Sequence, residues 1–350
     1  MNKLRGGYAD LIAMALLWTW SVVALGQATS PPSEIPTIRV TTDLIQVPVL
    51  ALRPPFRTTS GLTRSNFSVR LDGGPPFQPS YVRQQGNEPI GLGIMVVADT
   101  GEPELLSRGL QVAFQDWPSD LLNGADRLSI YISACHLVRS LNSAPGDLTQ
   151  WRDLIVKAAS FSNFQTALEG GKACSRPSIE AVLEAGIYQI ANTAQWNVLL
   201  LIVSGERSAD LNLLRRVQAI AAMKGVTLFA IKYLQRGSFP VAVYSEKEGL
   251  NVFVSSLGGI SVPSSFEDLG EVTETIIRDI RQRYILSFPR PGNGSAGAHR
   301  LEIKTNSRGV IVRSSAASAP ILDSTPCTGI TGSSLCSEQR PQYGTSKPPE

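Results

Sequence analysis

Few side chains in this sequence have the types and spacing that acid–base or nucleophilic chemistry needs. Only two histidines, His136 and His299, occur among the 350 residues. His136 directly follows Cys135 in an apolar stretch typical of a strand. Because neighbouring residues on a strand point to opposite faces, this pair is poorly placed to act as a Cys/His dyad. Two widely separated histidines also cannot supply a zinc-hydrolase motif.

Two short patterns resemble catalytic or nucleotide-binding motifs only in part. The segment "GLGIMV", beginning at Gly91, has two glycines of a dinucleotide fingerprint, but it leads into a strand and not from a strand into a helix. Ser204 in "VSGE" lacks the preceding glycine of a nucleophile elbow. Glu102, Glu104 and Glu206 could meet as an acid/base pair of a glycosidase-like site, although solvated loop charges are the simpler interpretation. We therefore predict a protein that is not an enzyme.

The overall composition is that of a globular protein. Of its residues, 43% are hydrophobic and 17% charged, which is enough apolar material for one sizeable core with small additions. The formal net charge of +3 comes from 32 basic and 29 acidic residues without a long run of either sign. The electrostatic pattern of a nucleic-acid-binding protein is missing, so we expect no nucleic acid partner.

The first 26 residues have the features of a secretory signal peptide. Lys3 and Arg5 precede an apolar run from Leu11 to Leu25, and Ala24-Leu25-Gly26 forms a small-x-small cleavage pattern. Cleavage near Gln27 would export the mature chain to the periplasm, the cell surface or the medium. A retained membrane anchor is the alternative, and it is disfavoured because the apolar run is short for a span. We expect no membrane span in the mature chain.

Four cysteines in an exported chain are an even number in an oxidising compartment. Cys327 and Cys336 lie close together in a Gly/Ser/Thr-rich segment and could close a short loop, which leaves Cys135 and Cys174 as the second predicted pair. The alternative is that Cys135 is simply a small buried residue at the end of an apolar strand.

The middle of the chain alternates strand and helix patterns, which predicts an α/β fold with a doubly wound, mainly parallel sheet and helices on both faces. The runs "GLGIMVVAD", "WNVLLLIVS" and "VTLFAIKYL" have the length and continuous apolar character of strands buried on both sides. We place this core at residues 89–285. A linker and small β module at 27–88 precede it, a β segment at 286–315 follows, and the Pro/Ser/Thr-rich stretch 316–350 is expected to be disordered.

Local signals refine the helices. Pro103 and Pro177 stand where helices should begin, and Gly225 where one should end. We expect one helix over about 148–160, a helix capped by Ser208, and a last helix opened by a capping box of Ser264 and Glu267. Three arginines near the end of that helix are interpreted as a solvated face without a role: Arg278, Arg281 and Arg283.

The order of these elements resembles a von Willebrand factor type A (VWA) domain, in particular the secreted VWA-related family of acidobacterial type. The resemblance covers about residues 37–313. It is carried by these segments in this order: "VTTDLIQVPVLAL", "GLTRSNFSVRLDGGPP", "GLGIMVVADT", "NVLLLIVSGE", "GVTLFAIKYL", the pair Gly258-Gly259 and "SFEDLGEVTETIIRDIRQRYILSF". It implies a Rossmann-like open sheet whose ligands approach the carboxyl ends of the strands.

The resemblance also implies where a metal site would be. Metal-binding members present a D-x-S-x-S motif after the first core strand, a threonine from a later loop and an aspartate after the fourth strand, all hard oxygen ligands for Mg²⁺. Here the first motif is Asp99-Thr100-Gly101-Glu102-Pro103, so only its leading carboxylate remains. Thr166 or Ser178 could supply the threonine position, and Ser204 replaces the aspartate. We expect this site to be degenerate, although Glu102 or Glu206 could substitute as ligands.

We therefore predict an exported, metal-independent module for protein binding, adhesion or scaffolding, with a protein partner of unknown identity. Its binding face would comprise the former metal positions Asp99, Gly101, Glu102, Pro103, Thr166, Ser178, Ser204 and Glu206. Two alternatives remain open. One is a structural component of an envelope or secretion assembly, joined through exposed strand edges, and the other is a Mg²⁺-dependent adhesin that uses substitute ligands.

Overall fold

A computed structural model of the chain describes eleven stretches, which include all the helices and strands given below. They are residues 44–54, 57–98, 103–146, 148–168, 177–191, 193–194, 196–204, 210–233, 249–289, 297–314 and 318–321. The predicted signal peptide and most of the predicted disordered tail lie outside these ranges. Within them, no helix has the length and apolar character of a membrane span.

The described chain opens with four strands: β1 (Leu44–Arg53), β2 (Arg57–Thr58), β3 (Phe67–Leu71) and β4 (Tyr81–Gln84). The α/β part then contains β5 (Ile90–Val97), α1 (Pro103–Gln115), β6 (Arg127–Ser133), β7 (Leu137–Pro145), α2 (Leu148–Ala158), α3 (Phe161–Leu168), α4 (Ile179–Ile190), β8 (Trp196–Ser204), α5 (Leu211–Lys224), β9 (Val226–Tyr233), α6 (Gly249–Ser256), β10 (Ser261–Ser264) and α7 (Leu269–Arg281). Four strands close it: β11 (Tyr284–Pro289), β12 (Gly297–Thr305), β13 (Ile311–Ser314) and β14 (Ser318–Ile321).

The centre of the fold is a six-stranded sheet in the order β10-β9-β8-β5-β6-β7. All its pairings are parallel except that of the edge strand β7 with β6. The predicted α/β class and mainly parallel sheet are confirmed. Strands β5 and β9 are buried along their whole length, as expected for strands covered on both faces.

Alternate residues of the central strands face two separate cores. In β8, Val198, Leu200 and Ile202 contribute to one core, and Leu199, Leu201 and Val203 to the other. Buried side chains of α1, α2, α3 and α7 belong to the first core, whereas those of α4, α5 and α6 belong to the second. The sheet is therefore flanked by helices on both sides.

The segments before and after this α/β part form a β-sandwich together. One sheet has the order β13-β1-β11-β4 and the other the order β14-β12-β3. Their facing side chains make a third core, with Val49 from β1, Val69 from β3, Leu286 and Phe288 from β11 and Leu301 from β12. Sequence analysis treated the two segments separately, but their strands pair with each other. The α/β part is thus inserted into the sandwich.

A buried arginine joins the sandwich to the central sheet. Arg283, between α7 and β11, is only 1% exposed. Its guanidinium donates to Gln85 Oε1 at 2.7 Å and to Thr227 Oγ1 at 2.9 Å, and its Nε donates to the Ile280 carbonyl at 3.2 Å. These partners are all neutral. Burial, with a smaller contribution from the charge of Arg281, lowers the pKa of Arg283 to about 9.

The prediction of a solvated arginine face is therefore wrong for two of its three residues. Arg281 pairs with the buried carboxylate of Asp126 and donates to the Glu88 carbonyl at 2.8 Å. Only Arg278 is exposed, and it bonds Glu274 one turn earlier in α7 at 2.8 Å. The chain turns into the sandwich immediately after α7, and this turn buries Arg281 and Arg283. The helical pattern alone could not show this turn.

Several local predictions also need correction. The helix expected over 148–160 ends at Ala158 and is followed by a second helix, α3. Asp210, not Ser208, is the residue that caps α5, and Ser208 lies outside the described residues. No Ser264 capping box opens α7, because Ser264 still belongs to β10 and is paired with Tyr233. The tail expected to be disordered contributes β14, which pairs with β12. The predicted end at Gly225 is confirmed by its φ of 64°.

The buried hydrogen bonds of Arg283 predict a large loss of stability for Arg283→Ala. The substitution leaves the acceptors on Gln85 and Thr227 without their donor and opens a cavity, so we expect a loss of about 3 kcal/mol in the free energy of unfolding. Urea denaturation measures it. Arg278→Ala is the control and should change stability by no more than about 0.5 kcal/mol. Equal effects of the two substitutions would contradict the assigned role of Arg283.

The acid Asp279 predicts a pH dependence of stability. It is 7% exposed, accepts a hydrogen bond from Thr58 Oγ1 at 2.8 Å, and burial raises its pKa from 3.8 to about 6. The folded state therefore binds the proton more tightly than the unfolded state. The resulting stabilisation is fully present below pH 3.8 and is lost as the pH rises through about 6.

Asp279→Asn keeps the acceptor for Thr58 but cannot ionise. We expect it to match the wild type near pH 3.5 and to be more stable by about 1 to 3 kcal/mol at pH 7. Chemical denaturation across this pH range measures the difference. A difference that does not change with pH would show that the ionisation of Asp279 is not responsible.

Candidate functional site: the carboxyl edge of the central sheet

The two middle strands of the sheet end side by side. Val97, the last residue of β5, pairs with Val203 near the end of β8 and with Ser133 at the end of β6. The next helix after β5, α1, packs on one face of the sheet, and the next helix after β8, α5, packs on the other. In open α/β sheets, this is the position at which a crevice for ligands forms.

The structure brings several predicted site residues to this edge. Pro103 is the first residue of α1, which follows β5. Ser178 is the N-cap of α4, where its Oγ accepts from the Ala181 amide at 3.3 Å, and Ser204 is the last residue of β8. Four other positions of the predicted face lie outside the described residues: Asp99, Gly101, Glu102 and Glu206.

Thr166 does not lie in a loop as expected. It belongs to α3, and its hydroxyl donates to the Ser162 carbonyl of the same helix at 3.0 Å. Phe164 and Ala167 are buried in the first core and explain why this stretch is helical. The hydroxyls of both candidates for the threonine position, Thr166 and Ser178, thus make local hydrogen bonds to the backbone, and that of Ser178 stabilises the start of α4.

A small apolar hollow lies directly at the strand ends. Val97, Ala98, Ser133, Ala134, Cys135, Leu168 and Pro177 line it. Its volume is about 10 Å³, which holds at most about one water molecule. This hollow is therefore too small to hold a substrate molecule.

Sequence analysis missed Glu180, which fixes one border of the site. It lies in the first turn of α4, is 5% exposed, and its Oε1 accepts from the Asp210 amide at 2.6 Å. Asp210 in turn caps α5 through the Asn212 amide. The bond therefore joins the starts of α4 and α5. An acid near a helix N-terminus was visible in the sequence, but its partner 30 residues away was not.

The predicted metal site and one of the predicted disulfides also involve residues of this edge. Among the residues that the structure describes, no three His, Cys, Asp or Glu side chains lie together in a way that could hold a metal ion. Asp99, the main candidate, is outside those residues. Each predicted disulfide, Cys135–Cys174 and Cys327–Cys336, also includes a cysteine that is not described, so both pairings stay predictions.

Comparison with known proteins gives only distant similarities. No family model and no curated protein sequence matches the chain. Similar solved structures include the human COPII-coat protein Sec24c, which is 11% identical with a TM-score of 0.38 over 67% of this chain and 44% of that chain. Proximal thread matrix protein 1 from the mussel byssus is 11% identical with a TM-score of 0.36 over 56% and 49%.

A third similar structure is a D319A mutant of the PilB minor pilin from Streptococcus sanguinis, 10% identical with a TM-score of 0.40 over 69% of this chain and 88% of that chain. The chain spans about half the length of the first two proteins. At these values the similarities carry no argument about function.

The bond between Glu180 and Asp210 generates a prediction. Glu180→Ala should lower the free energy of unfolding by about 2 kcal/mol, because the Asp210 amide loses a carboxylate acceptor that links two helices. It should also speed hydrogen exchange at the Asp210 amide, which NMR measures directly. Glu184→Ala is the control: it removes the carboxylate of α4 that pairs with Arg216 of α5 at 3.1 Å, and it should leave the Asp210 amide protected. Unchanged exchange in Glu180→Ala would contradict the proposed link.

Proposed function

We propose that this protein is an exported, non-enzymatic binding module of the VWA type, which recognises a protein partner through the carboxyl edge of its central sheet. One observation carries the proposal: β5 and β8 end as neighbours, and the helices that follow them pack on opposite faces of the sheet. Three of the four described positions of the predicted face stand at this edge, namely Pro103, Ser178 and Ser204. Loops held by such a scaffold are common sites of recognition.

We infer that the sheet is doubly wound. Starting from β5, successive strands are added on one side through β6 and β7 and on the other through β8, β9 and β10. The helices cover both faces. Together with the order of sequence segments from about residue 37 to 313, this arrangement supports the VWA type over other α/β classes.

Independence of metal is part of the proposal. The sequence retains one carboxylate of the family pattern, Asp99, and has Ser204 in place of the other. Ser178, the better-spaced hydroxyl, is engaged as a helix cap. Mg²⁺ requires near-octahedral oxygen ligation and loses its waters reluctantly, so this reduced set should not retain it. Shape and hydrogen bonding would then replace completion of a metal shell as the basis of recognition.

A role in an assembly is the second candidate, and the edge strand β4 favours it. Among the described strands, β4 pairs with β11 alone and stands at the border of its sheet. Its first residue, Tyr81, is 57% exposed. An exposed edge with an aromatic side chain can add a strand from a neighbouring molecule.

The experiment compares the wild type with the double variant Asp99→Ala/Glu102→Ala. Each is immobilised and titrated with a cell-envelope extract, in Mg²⁺ and in EDTA. We expect the wild type to retain a protein with equal affinity in both conditions, and the double variant to lose about tenfold or more in affinity. Glu302→Ala, on β12 of the sandwich, is the control and should bind like the wild type.

Metal binding is tested on the same preparations by calorimetric titration of Mg²⁺, Mn²⁺ and Ca²⁺, with thermal unfolding in parallel. A ligand that binds only the folded state raises the melting temperature. We expect neither heat nor a shift. A shift at sub-millimolar metal that Asp99→Ala abolishes would establish the metal-dependent adhesin instead. Self-association of the chain, with no partner lost in the double variant, would favour the assembly role.

A further inference from the structure

Three buried polar residues meet at the junction between the sandwich and the central sheet. They are Gln85, which directly follows β4, Thr227 near the start of β9, and Arg283, which lies between α7 and β11. Their exposed fractions are 2%, 1% and 1%. Arg283 gives this cluster a positive charge that is shielded from water, and such a charge is stable only if its surroundings replace the lost hydration.

The orientation of the Gln85 side chain is fixed by the arginine, and its amino group is left without an acceptor. Gln85 Oε1 accepts from Arg283 Nε at 3.0 Å and from Arg283 Nη2 at 2.7 Å. The reversed amide would place an amino group against these donors, so the arginine selects this orientation. The Gln85 Nε2 atom is buried and has no hydrogen-bond partner among the described residues. Because it is bonded to the same carbon as Oε1, it lies within about 5 Å of Arg283 Nη2.

Arg283 also has more N–H groups than acceptors. A guanidinium carries two hydrogens on each terminal nitrogen and one on Nε. Within the described part of the chain, Nη1 donates to Thr227 Oγ1 at 2.9 Å and Nη2 to Gln85 Oε1, so one hydrogen on each terminal nitrogen has no acceptor. The single hydrogen of Nε is shared between Gln85 Oε1 and the Ile280 carbonyl. Together with the amino group of Gln85, the cluster therefore has a surplus of buried donors.

The positive charge of this cluster also has no counterion. Burial, and then the like charge of Arg281, lower the pKa of Arg283 to about 9, and no carboxylate among the described residues offsets them. The buried carboxylate of Asp126 pairs with Arg281 instead. An unpaired charge in the protein interior is costly. The arrangement thus suits a negatively charged group that has no hydrogens of its own.

We propose that this cluster binds a small monatomic anion, chloride under ordinary conditions, between Gln85 Nε2 and the unused N–H groups of Arg283. Such an ion accepts from several N–H groups at once and neutralises the guanidinium. A water molecule would need acceptors for its own hydrogens and would bring no charge. The bound ion strengthens the attachment of the sandwich to the central sheet, and the inference does not depend on the function proposed above.

The first test measures thermal unfolding of the full chain while chloride replaces gluconate at a constant ionic strength of about 0.2 M, so that general screening is unchanged. A ligand that binds only the folded state raises the melting temperature. We expect a rise of about 3 °C or more between no chloride and about 0.2 M chloride, and a similar rise with bromide. Equal melting temperatures in gluconate and chloride would overturn the proposal.

Gln85→Glu assigns the effect to this cluster. The new carboxylate has the shape of the amide, gives Arg283 a fixed counterion and removes the unused donors of Nε2, so an anion is no longer favoured. We expect the chloride-dependent rise to disappear. Gln84→Glu, an exposed position one residue earlier on β4, adds the same charge and should keep the full rise. The same chloride dependence in Gln85→Glu as in the wild type would show that the ion acts elsewhere and would overturn the assignment.

A direct measurement needs no variant and holds even if Gln85→Glu fails to fold. Crystals of the wild type are grown with bromide in place of chloride, and the anomalous scattering of bromide locates the bound ion. We expect an anomalous peak in contact with Gln85 Nε2 and the guanidinium of Arg283. Bromide at other positions only, or a water molecule between these two side chains, would exclude the anion site.

Discussion

The antiparallel pairing of β1 with β11 is the constraint on which the rest of the structure depends. It runs from Leu44 with Pro289 to Val49 with Tyr284, and so joins segments about 240 residues apart in the chain. The ladder of β4 with β11 continues into the hydrogen bond from the Gln85 amide to the Arg283 carbonyl. Both ends of the α/β part are held together by these bonds. Because such contacts are non-local, the sandwich can close only after its two halves have met, which slows folding.

Two arginines lie at the junction between the sandwich and the central sheet, and their charges are accommodated in different ways. Arg281 has a carboxylate partner in Asp126, which also accepts the Ile90 amide at 2.9 Å at the start of β5. Arg283 has none and relies on neutral acceptors from the sandwich side and from β9. A hydrophobic residue would avoid the desolvation cost, but it could not bond Gln85 and Thr227 at once. Because hydrogen bonds are directional, Arg283 fixes the orientation of the sandwich relative to the central sheet. Apolar packing alone does not have this directionality.

The parts of the fold that local signals determine could be predicted from the sequence. Continuous apolar runs gave the buried strands, Pro103 gave the start of α1, and Gly225 gave the end of α5. The predictions that failed concern distant contacts. The sequence around Arg283 is typical of a surface helix end, but the turn of the chain into the sandwich buries this residue. β14 forms a strand through its pairing with β12. A polar tail and a basic helix end have the same composition whether or not a partner strand is nearby.

The candidate surfaces show the same division. Chain order predicted that Ser178 and Ser204 would reach the carboxyl edge, because parallel strands must end on one side. The close contact between α1 and α7 could not be foreseen, because Gly109 and Gly270 become necessary only when these two helices pack against each other. Both glycines lie within helices, away from the turns and helix C-termini that favour glycine, so no local signal in the sequence distinguished them from other helical positions.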